Sequence, residues 1–458
     1  MNIDSLASGP KERSLVHDSA RLFVAQVVGN AGFFVAVLVL ARGLGPEGRG
    51  TVAFLIVTAM VLGRVARLGV SDATTVFAAQ RPEERPALFT NVVVFAALAG
   101  SLAGAIACTA LLLLEGARPE GLGSTELALL GVGAALAALV EAGYAFLLGC
   151  GRLRSQALIT GSASWIYAGL LLVAWAVAGL TVALASLVWV LGQGIRASML
   201  VSASWRGIGP ARPRVELLLE SFRFGIRAWL GSLARFLNFR TDQILMGFIA
   251  SEAALGVYAV AVNAAEILLY LPEATALALL PFTATSDVES RPRQSLRAFR
   301  VLATLTMAGA LVGAATGPFV IPAVFGPAFD DSVVPFLLLL PGAIGFAALG
   351  IFSNTLLASG YPGPSSLGPV TALTVGFGLD LLLIPPFGTT GAAVAASVAL
   401  VAGGVVAASA YRARAGFEWR ALVVFERGDF AFLSAWRARR EHVRRSAPLP
   451  AAPPEPES

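Results

Sequence analysis

The sequence has few charged residues, two cysteines and two histidines, and each scarcity excludes a class of protein. Of its 458 residues, 13% are charged and 57% are hydrophobic, whereas an ordinary soluble domain is about 25% charged. This composition excludes a soluble enzyme and indicates a chain embedded in a lipid bilayer. Cys108 and Cys150 lie in apolar runs, which excludes a disulfide framework and a cysteine-based metal site. His17 and His442 lie in polar termini, so proton transfer within the membrane would depend on carboxylates.

The motifs of membrane-bound enzymes are also missing. The sequence has no long polar loop, no acidic catalytic cluster and no Gly-Lys-Ser/Thr phosphate-binding motif. A membrane glycosyltransferase, a polymer ligase or an ATPase is therefore not expected, and neither is a cofactor. The net charge is +5, but the basic residues are dispersed between apolar segments, so we expect no binding of nucleic acid.

Long apolar windows dominate the chain. A membrane-spanning helix needs about 20 apolar residues to cross about 30 Å. Twelve windows of about this length occur, at 22–41, 51–72, 88–114, 127–149, 157–179, 181–203, 224–250, 253–285, 301–325, 332–357, 365–385 and 388–410. We therefore predict an all-α polytopic membrane protein with about twelve transmembrane helices.

The distribution of Lys and Arg predicts the orientation of the chain. If the chain has twelve spans, both termini lie on the same side of the membrane. That side, which we call the basic end, carries 25 of the 33 Lys and Arg residues. The opposite side, the far end, has three, namely Arg42, Arg49 and Arg118. The positive-inside rule then places the basic end and both termini in the cytoplasm.

Six windows precede and six follow the connection 204–222. We therefore predict a short N-terminal segment at 1–21, an N-lobe at 22–203, a linker at 204–222 and a C-lobe at 223–410. The lobes carry matching sequences, since residues 146–151 match 355–360, and Gly45-Pro46-Glu47 leading to Gly50 matches Ser251-Glu252 leading to Gly256. Because each half has an even number of spans, such repeats are related by an axis along the membrane normal and enclose a central cavity.

The first connection carries a family resemblance. The segment Leu40-Ala41-Arg42-Gly43-Leu44-Gly45-Pro46-Glu47-Gly48-Arg49-Gly50 resembles the first-loop signature of bacterial polysaccharide and lipid-linked oligosaccharide flippases. These belong to the multidrug, oligosaccharidyl-lipid and polysaccharide exporter superfamily. Two further segments resemble the same family. They are Phe224-Gly225 through Arg240-Thr241-Asp242-Gln243-Ile244-Leu245-Met246-Gly247 to Gly256-Val257-Tyr258, and Leu147-Leu148-Gly149-Cys150-Gly151-Arg152. The resemblance therefore covers about residues 20–410.

The resemblance implies a V-shaped, two-lobed, alternating-access transporter of the bacterial inner membrane. It would move a polyprenyl-diphosphate-linked glycan from the cytoplasmic to the outer leaflet for surface polysaccharide synthesis. Related peptidoglycan-precursor flippases usually have two further helices, which this sequence does not show.

Charged residues inside the windows are the candidates for function, because each costs about 2.5–3.5 kcal/mol at a helix centre. In the seventh window, helical spacing predicts one polar stripe that consists of Gly231, Arg235, Asn238 and Asp242, with Arg240 facing away. In the eighth window, a second stripe consists of Asn263, Glu266, Tyr270 and Glu273, with Pro272 permitting a kink. Further charges are Arg64, Arg67, Glu141 and Asp380.

Two interpretations of these residues remain open. In the first, Arg64, Arg67, Arg235 and Asn238 bind a diphosphate, whose oxygens suit the guanidinium fork. The acids Asp242, Glu266, Glu273 and Glu141 would then exchange a proton or hold a cation, with a proton gradient, a sodium gradient or the membrane potential as the energy source. In the second, the opposite charges neutralise one another and hold helices together.

The most strongly indicated function is the flipping of a lipid-linked oligosaccharide. The alternatives are a cation-coupled exporter of small amphipathic compounds and a non-transporting scaffold of glycan assembly. Glycan polymerases or assembly proteins are candidate partners. The basic tail at 411–445 suits a helix on anionic membrane lipids, and the Pro-rich end at 446–458 is predicted to be disordered.

Overall fold

The computed structural model describes residues 10–113, 119–209, 211–285, 291–425 and Asp429. It describes their side chains from residue 28 onwards, except at Ala228, 271–285 and Pro362. The helices in these ranges are α1 (Pro10–Ala66), α2 (Val70–Gln80), α3 (Arg85–Leu113), α4 (Ser124–Gly149), α5 (Leu153–Ala178), α6 (Val182–Trp205), α7 (Val215–Leu237), α8 (Thr241–Ile249), α9 (Glu252–Thr285), α10 (Arg291–Phe325), α11 (Val333–Ala358) and α12 (Pro362–Ala415). Short 3-10 turns at Pro82–Glu84, Pro327–Ser332 and Trp419–Leu422 complete the secondary structure of the described ranges.

Two of these helices are each a pair of membrane spans. Helix α1 has 57 residues and α12 has 54, far more than the roughly 20 that cross a bilayer. Gly45 interrupts α1 with a φ of 68°, and Gly388 interrupts α12 with a φ of 55°. Glycine adopts these positive φ angles without the clash that a Cβ would cause, so the chain turns at both positions.

The described helices form twelve spans in two halves of six. Among the described residues, nine continuous stretches are long and apolar enough to cross a membrane, and two of these lie within α1 and α12. Helices α1 and α12 each count as two spans, and α7 and α8 together count as one interrupted span. The total is then the predicted twelve spans. The predicted all-helical, two-lobed architecture is therefore confirmed.

The matched sequences at the ends of the fourth and tenth spans fold in the same way. After α4, the amides of Cys150, Gly151 and Arg152 donate to the carbonyls of Phe146, Leu148 and Leu147. After α11, the amides of Ser359, Gly360 and Tyr361 donate to the equivalent carbonyls of Thr355, Leu357 and Leu356. The two glycines have φ angles of 68° and 84°, as expected for a glycine that ends a helix. The sequence repeat is thus a structural repeat.

Helix α1 belongs to the cores of both lobes. Val39, Leu40 and Val52 are buried in the N-lobe with residues of α4, α5 and α6. Val37 and Ala41, on the opposite face of the same helix, are buried against α9, α10 and α11 of the C-lobe. The first span therefore lies at the interface between the lobes.

Helix α7 begins at Val215, inside the segment predicted as a linker, and its first turns pack on the N-lobe. The rings of Phe77 in α2 and Phe224 in α7 have centroids 5.0 Å apart. Arg81 donates to Glu220 at 2.7 Å, and these hydrogen bonds hold the pKa of the Glu220 carboxyl below its usual range. The seventh span is therefore tied to the N-lobe at the basic end.

The start of the tail packs on the basic end of the C-lobe. Phe417 stacks on Phe352, with ring centroids 6.4 Å apart. The Arg300 guanidinium donates to both carboxylate oxygens of Asp429, at 2.7 and 2.8 Å, and the two side chains are 2% and 1% exposed. The stretch 416–425 contains only a short 3-10 turn. Apart from Asp429, the remainder of the predicted interfacial helix and the Pro-rich end lie outside the described residues.

The Arg300–Asp429 pair is expected to contribute strongly to stability. In Asp429→Ala the guanidinium stays buried without its carboxylate, which we expect to lower the free energy of unfolding by about 3–5 kcal/mol. Denaturant unfolding of the purified protein measures this effect. Asp331→Ala, at an exposed carboxylate, is the control and should change stability by less than about 0.5 kcal/mol. A loss below about 1 kcal/mol for Asp429→Ala would contradict the expectation.

Candidate functional site

Two arginines of the second span share one carboxylate of the fourth. Arg64 and Arg67, one turn apart in α1, both donate to Oε2 of Glu141 in α4, and the Arg67 bond measures 3.1 Å. A second carboxylate oxygen, Oδ2 of Asp72, lies 3.4 Å from Arg67. Arg67 is 6% exposed, whereas Arg64 and Glu141 are 25% and 32% exposed. The two guanidiniums are therefore held in place by carboxylates of the N-lobe.

The same cluster touches the C-lobe. Arg67 donates to the Ser232 hydroxyl at 3.1 Å, and the indole N–H of Trp229 donates to the Arg64 carbonyl at 3.1 Å. The Arg64 guanidinium lies 4.9 Å from the centre of the Phe236 ring, within cation–π range. The arginines thus lie between the lobes, in the half of the bundle near the basic end.

Arg235 completes a group that we call the arginine cluster: Arg64, Arg67, Arg235, Glu141 and Asp72. Arg235 is exposed and lies within electrostatic range of Arg64 and Asp72. Among the described side chains it has no carboxylate within 4 Å. Three guanidiniums and two carboxylates leave the cluster with one excess positive charge, so it can accept an anion.

The predicted grouping of Arg64, Arg67 and Arg235 therefore occurs in the structure, while their role stays a prediction. The sequence did not point to Asp72 or Ser232. Asp72 follows Arg67 across a break at Leu68, which has a φ of 42°, and helical spacing does not extend across such a break. Ser232 has no charge that would distinguish it within an apolar window.

The predicted stripe of the seventh span is divided, and the prediction of one continuous stripe was wrong. Helix α7 ends at Leu237 and α8 begins at Thr241, so helical periodicity is lost between them. Arg235 faces the arginine cluster. Asn238 instead donates to the Pro369 carbonyl of α12 at 3.0 Å, and Asp242 is buried in the C-lobe.

A second polar group, the acid cluster, lies inside the C-lobe and consists of Asp242, Tyr258, Asp380, Arg240 and Glu266. The Tyr258 hydroxyl donates to Asp242 at 2.5 Å, and Arg240 donates to Glu266 at 2.7 Å. Asp380 is 3% exposed and within electrostatic range of Asp242, and its Oδ1 has no hydrogen-bond partner among the described residues. Arg240, predicted to face away from the first stripe, thus pairs with the second. The Glu273 side chain lies outside those described.

The acid cluster borders a small cavity. The cavity measures about 40 Å³, and Asn238, Asp242 and Glu266 contribute to its lining. This space is enough for a water molecule or a small cation. In the part of the chain that is described, no group of three or more His, Cys, Asp or Glu residues has the arrangement of a metal site.

At the far end the lobes meet through two glycines. A Cβ atom on Gly50 of α1 would overlap the carbonyl oxygen of Glu252, and one on Gly256 of α9 would overlap that of Pro46. The Glu252 carboxylate also accepts from the Thr51 hydroxyl at 2.9 Å. We call this the far-end contact; it closes the bundle on that side.

At the basic end the lobes meet through a second glycine pair. A Cβ on Gly69, which follows α1, would overlap the backbone of Gly225 in α7, and a Cβ on Gly225 would overlap the backbone of Gly69. We call this the basic-end contact. Because the lobes touch at both ends, the arginine cluster lies between two closures.

Two six-helix repeats that meet around intramembrane charges and touch at both ends define a two-lobed membrane protein with a charged lobe interface. Residues 39–334 match a family model described as "Polysaccharide biosynthesis protein". The chain belongs to this family. The predicted family resemblance is confirmed.

Known relatives agree with this assignment. A protein of Haloferax volcanii described as "Probable flippase AglR" is 27% identical over 212 residues, which cover 44% of this chain and 43% of that protein. The match thus spans less than half of that relative's length.

Solved structures show the same fold. A multidrug transporter of the MATE family in an inward-facing conformation has a TM-score of 0.68 and 15% identity, covering 86% of this chain and 98% of that chain. The lipid II flippase MurJ in an inward closed conformation has a TM-score of 0.69 and 13% identity, covering 93% of this chain and 92% of that chain. At these identities the likeness concerns the fold alone.

Proposed function

We propose that this protein flips a polyprenyl-diphosphate-linked oligosaccharide from the cytoplasmic to the outer leaflet of a bacterial inner membrane by alternating access. The observation that carries the proposal is the arginine cluster at the lobe interface near the basic end. Membership of a polysaccharide biosynthesis family and the partial match to a probable flippase support it. The positive-inside rule makes the basic end cytoplasmic, so the arginines face the side where the substrate would arrive.

The arginine cluster suits a diphosphate because guanidinium forks bind phosphate oxygens in pairs. Arg235 has no carboxylate partner among the described side chains, so it would meet the substrate first. The phosphate oxygens would then compete with Glu141 for Arg64 and Arg67. Glu141 would therefore pair with the two arginines when no substrate is bound. This role differs from the ion coupling that the sequence analysis predicted for Glu141.

The acid cluster is the proposed coupling site. Asp242 and Asp380 are both buried and lie within electrostatic range of each other, and burial of two such carboxyls favours binding of a proton or a cation. Glu266 is paired with Arg240, so it would position Arg240 beside Asp242. Transport could then draw on a proton gradient, a sodium gradient or the membrane potential.

The acid cluster also favours a second candidate function. A cation-coupled exporter of small amphipathic compounds would use the same buried carboxyls, and the fold is shared with MATE transporters. The arginine cluster weighs against it, because three guanidiniums suit a polyanion better than a cationic compound.

Glycan export in cells that lack the protein tests the proposal. Wild type should restore the surface glycan, and Arg235→Ala should reduce export at least tenfold while a lipid-linked intermediate accumulates inside, since one charge-assisted phosphate contact contributes about 1.5–3 kcal/mol. Arg196→Ala, which removes an intramembrane arginine of α6 outside the cluster, should export normally.

Membrane levels of each variant are compared by immunoblotting. Wild type that leaves the glycan unchanged would refute the flippase and favour the exporter. Export by Arg235→Ala equal to that of wild type would refute the cationic site and favour a scaffold.

A further inference from the structure

The N-lobe carries a groove on its surface whose lining contains no residue of the arginine cluster or the acid cluster. It measures about 730 Å³ and lies between α5 and α6, with Leu136 of α4 in its lining. Among its lining residues, Leu158 and Leu191 are 63% and 52% exposed. The groove therefore opens sideways, towards the position of the membrane lipids.

Polar groups follow the groove from the basic end into the bilayer. Arg206, directly after α6, and Ser155, near the start of α5, lie at the basic end. Ser202 and Ser198 line the same groove one and two turns deeper on α6. Deeper still, its wall is formed by Ile195 and other apolar residues. The polarity of the groove thus decreases with depth, as it does along a lipid molecule.

Within the described residues, these polar groups have no protein partner. The hydroxyls of Ser155, Ser198 and Ser202 make no hydrogen bond among the described residues, although a serine in a helix commonly donates to a carbonyl one turn back. Ser162 on α5 does so, at 2.7 Å from the Leu158 carbonyl. Arg206 is exposed and has no carboxylate within 4 Å in the described part of the chain. Four donors without a partner in the described part of the chain can therefore bind a ligand in this groove.

We propose that the groove binds one membrane phospholipid with an anionic headgroup from the cytoplasmic leaflet. Arg206 would bind the phosphate, with Ser155 and Ser202 donating to its oxygens. Ser198 would donate to an ester carbonyl at the level where the acyl chains begin. The chains would lie along Ile195 and Leu191.

The dimensions and chemistry of the groove select this occupant. From Arg206 to Leu191 the helix rises about 22 Å, which accommodates a headgroup and a chain that fills one leaflet of about 15 Å. A polyprenyl chain has no ester carbonyl, so it would leave Ser198 unpaired in an apolar environment. The exposed Trp205, beside Arg206, is the type of residue found at the headgroup level.

Native mass spectrometry of the delipidated, full-length protein tests the proposal. The probes are phosphatidylglycerol, phosphatidylcholine and a polyprenyl monophosphate. We expect one phosphatidylglycerol per chain, bound about tenfold more tightly than phosphatidylcholine. Arg206→Ala should weaken phosphatidylglycerol binding about tenfold, since it removes a charge-assisted hydrogen bond. Arg212→Ala, at an exposed arginine of the same end outside the groove, is the control for general electrostatic attraction and should bind like wild type.

A second variant tests the apolar part. A Cβ on Gly194 would lie 3.9 Å from Leu136 Cδ1, so Gly194→Leu fits without a backbone clash and fills the groove. We expect it to abolish binding, whereas Gly169→Leu, at an open position of α5, should bind normally.

Wild-type binding by both Arg206→Ala and Gly194→Leu would overturn the proposal. So would one-for-one displacement of phosphatidylglycerol by the polyprenyl monophosphate, which would assign the groove to an isoprenoid tail. Binding is measured without transport, so these outcomes do not depend on the flippase function.

Discussion

Gly256→Ala is expected to abolish glycan export by preventing closure of the far end. The added Cβ would overlap the Pro46 carbonyl oxygen, and backbone cannot give way as a flexible side chain can. Overpacking of this kind costs about 3 kcal/mol, which lowers the population of the closed state roughly hundredfold. The variant should therefore remain open to the outside. Gly225→Ala should have the opposite effect, because it disrupts the basic-end contact and leaves the protein open to the cytoplasm.

Thiol labelling distinguishes these two states. Cys108 and Cys150 are first replaced by Ala, and Ser232→Cys then reports on access to the arginine cluster. A membrane-impermeant maleimide added outside should label the reporter in Gly256→Ala and fail to label it in Gly225→Ala. Gly169→Ala, where a Cβ meets open space, should export and label like wild type. Normal export by Gly256→Ala would show that the far-end contact does not have to close during transport.

Glu141→Gln is expected to separate substrate binding from transport. The substitution keeps the shape of the side chain but removes the charge that competes with a diphosphate for Arg64 and Arg67. We therefore expect a short-chain polyprenyl diphosphate to bind about tenfold more tightly. Transport should fall at least tenfold. Without the Glu141 charge, the empty carrier would have to close around three guanidiniums with only the Asp72 carboxylate beside them. Uncompensated buried charge of this kind costs several kcal/mol.

Binding to the purified protein and flipping in liposomes measure the two effects separately. Glu126→Gln is the matched control, because Glu126 is a buried carboxylate of the same helix at its far end. It should leave both quantities within about twofold of wild type. If Glu141→Gln instead bound the diphosphate more weakly than wild type, Glu141 would be a positioning residue for the arginines in the bound state.

The sequence predicted the architecture well because its signals are local. Apolar windows and a repeated helix ending each depend on a few neighbouring residues, and both agree with the structure. The side preference of arginine is also a local signal, and the orientation inferred from it stays a prediction. The repeat also pointed to the positions of Gly50 and Gly256. That they touch could not be inferred from the sequence, because contact depends on how the two lobes are placed.

The site was predicted only in part, again because a sequence pattern depends on neighbouring residues and does not show how separate segments are placed. Arg64, Arg67 and Arg235 could be grouped because unpaired arginines are costly in a membrane and must share a polar environment. The division of the seventh span could not be predicted, since nothing in its apolar window indicates a turn between Leu237 and Thr241. That turn carries Asn238 and Asp242 away from the arginines and into the C-lobe, so helical spacing joined residues that belong to two different sites.

The far-end contact joins equivalent positions of the two repeats, since Gly50 and Gly256 end the second pair of matched sequences. A residue that touches its own counterpart lies beside the two-fold axis, so the contact is isologous, like the interface of a symmetric homodimer. In a gene duplication one ancestral glycine would have supplied both halves of the closure. After the two copies of the gene fused, the glycine in each half could no longer change independently of the other. A single mutation in either half is enough to break the contact.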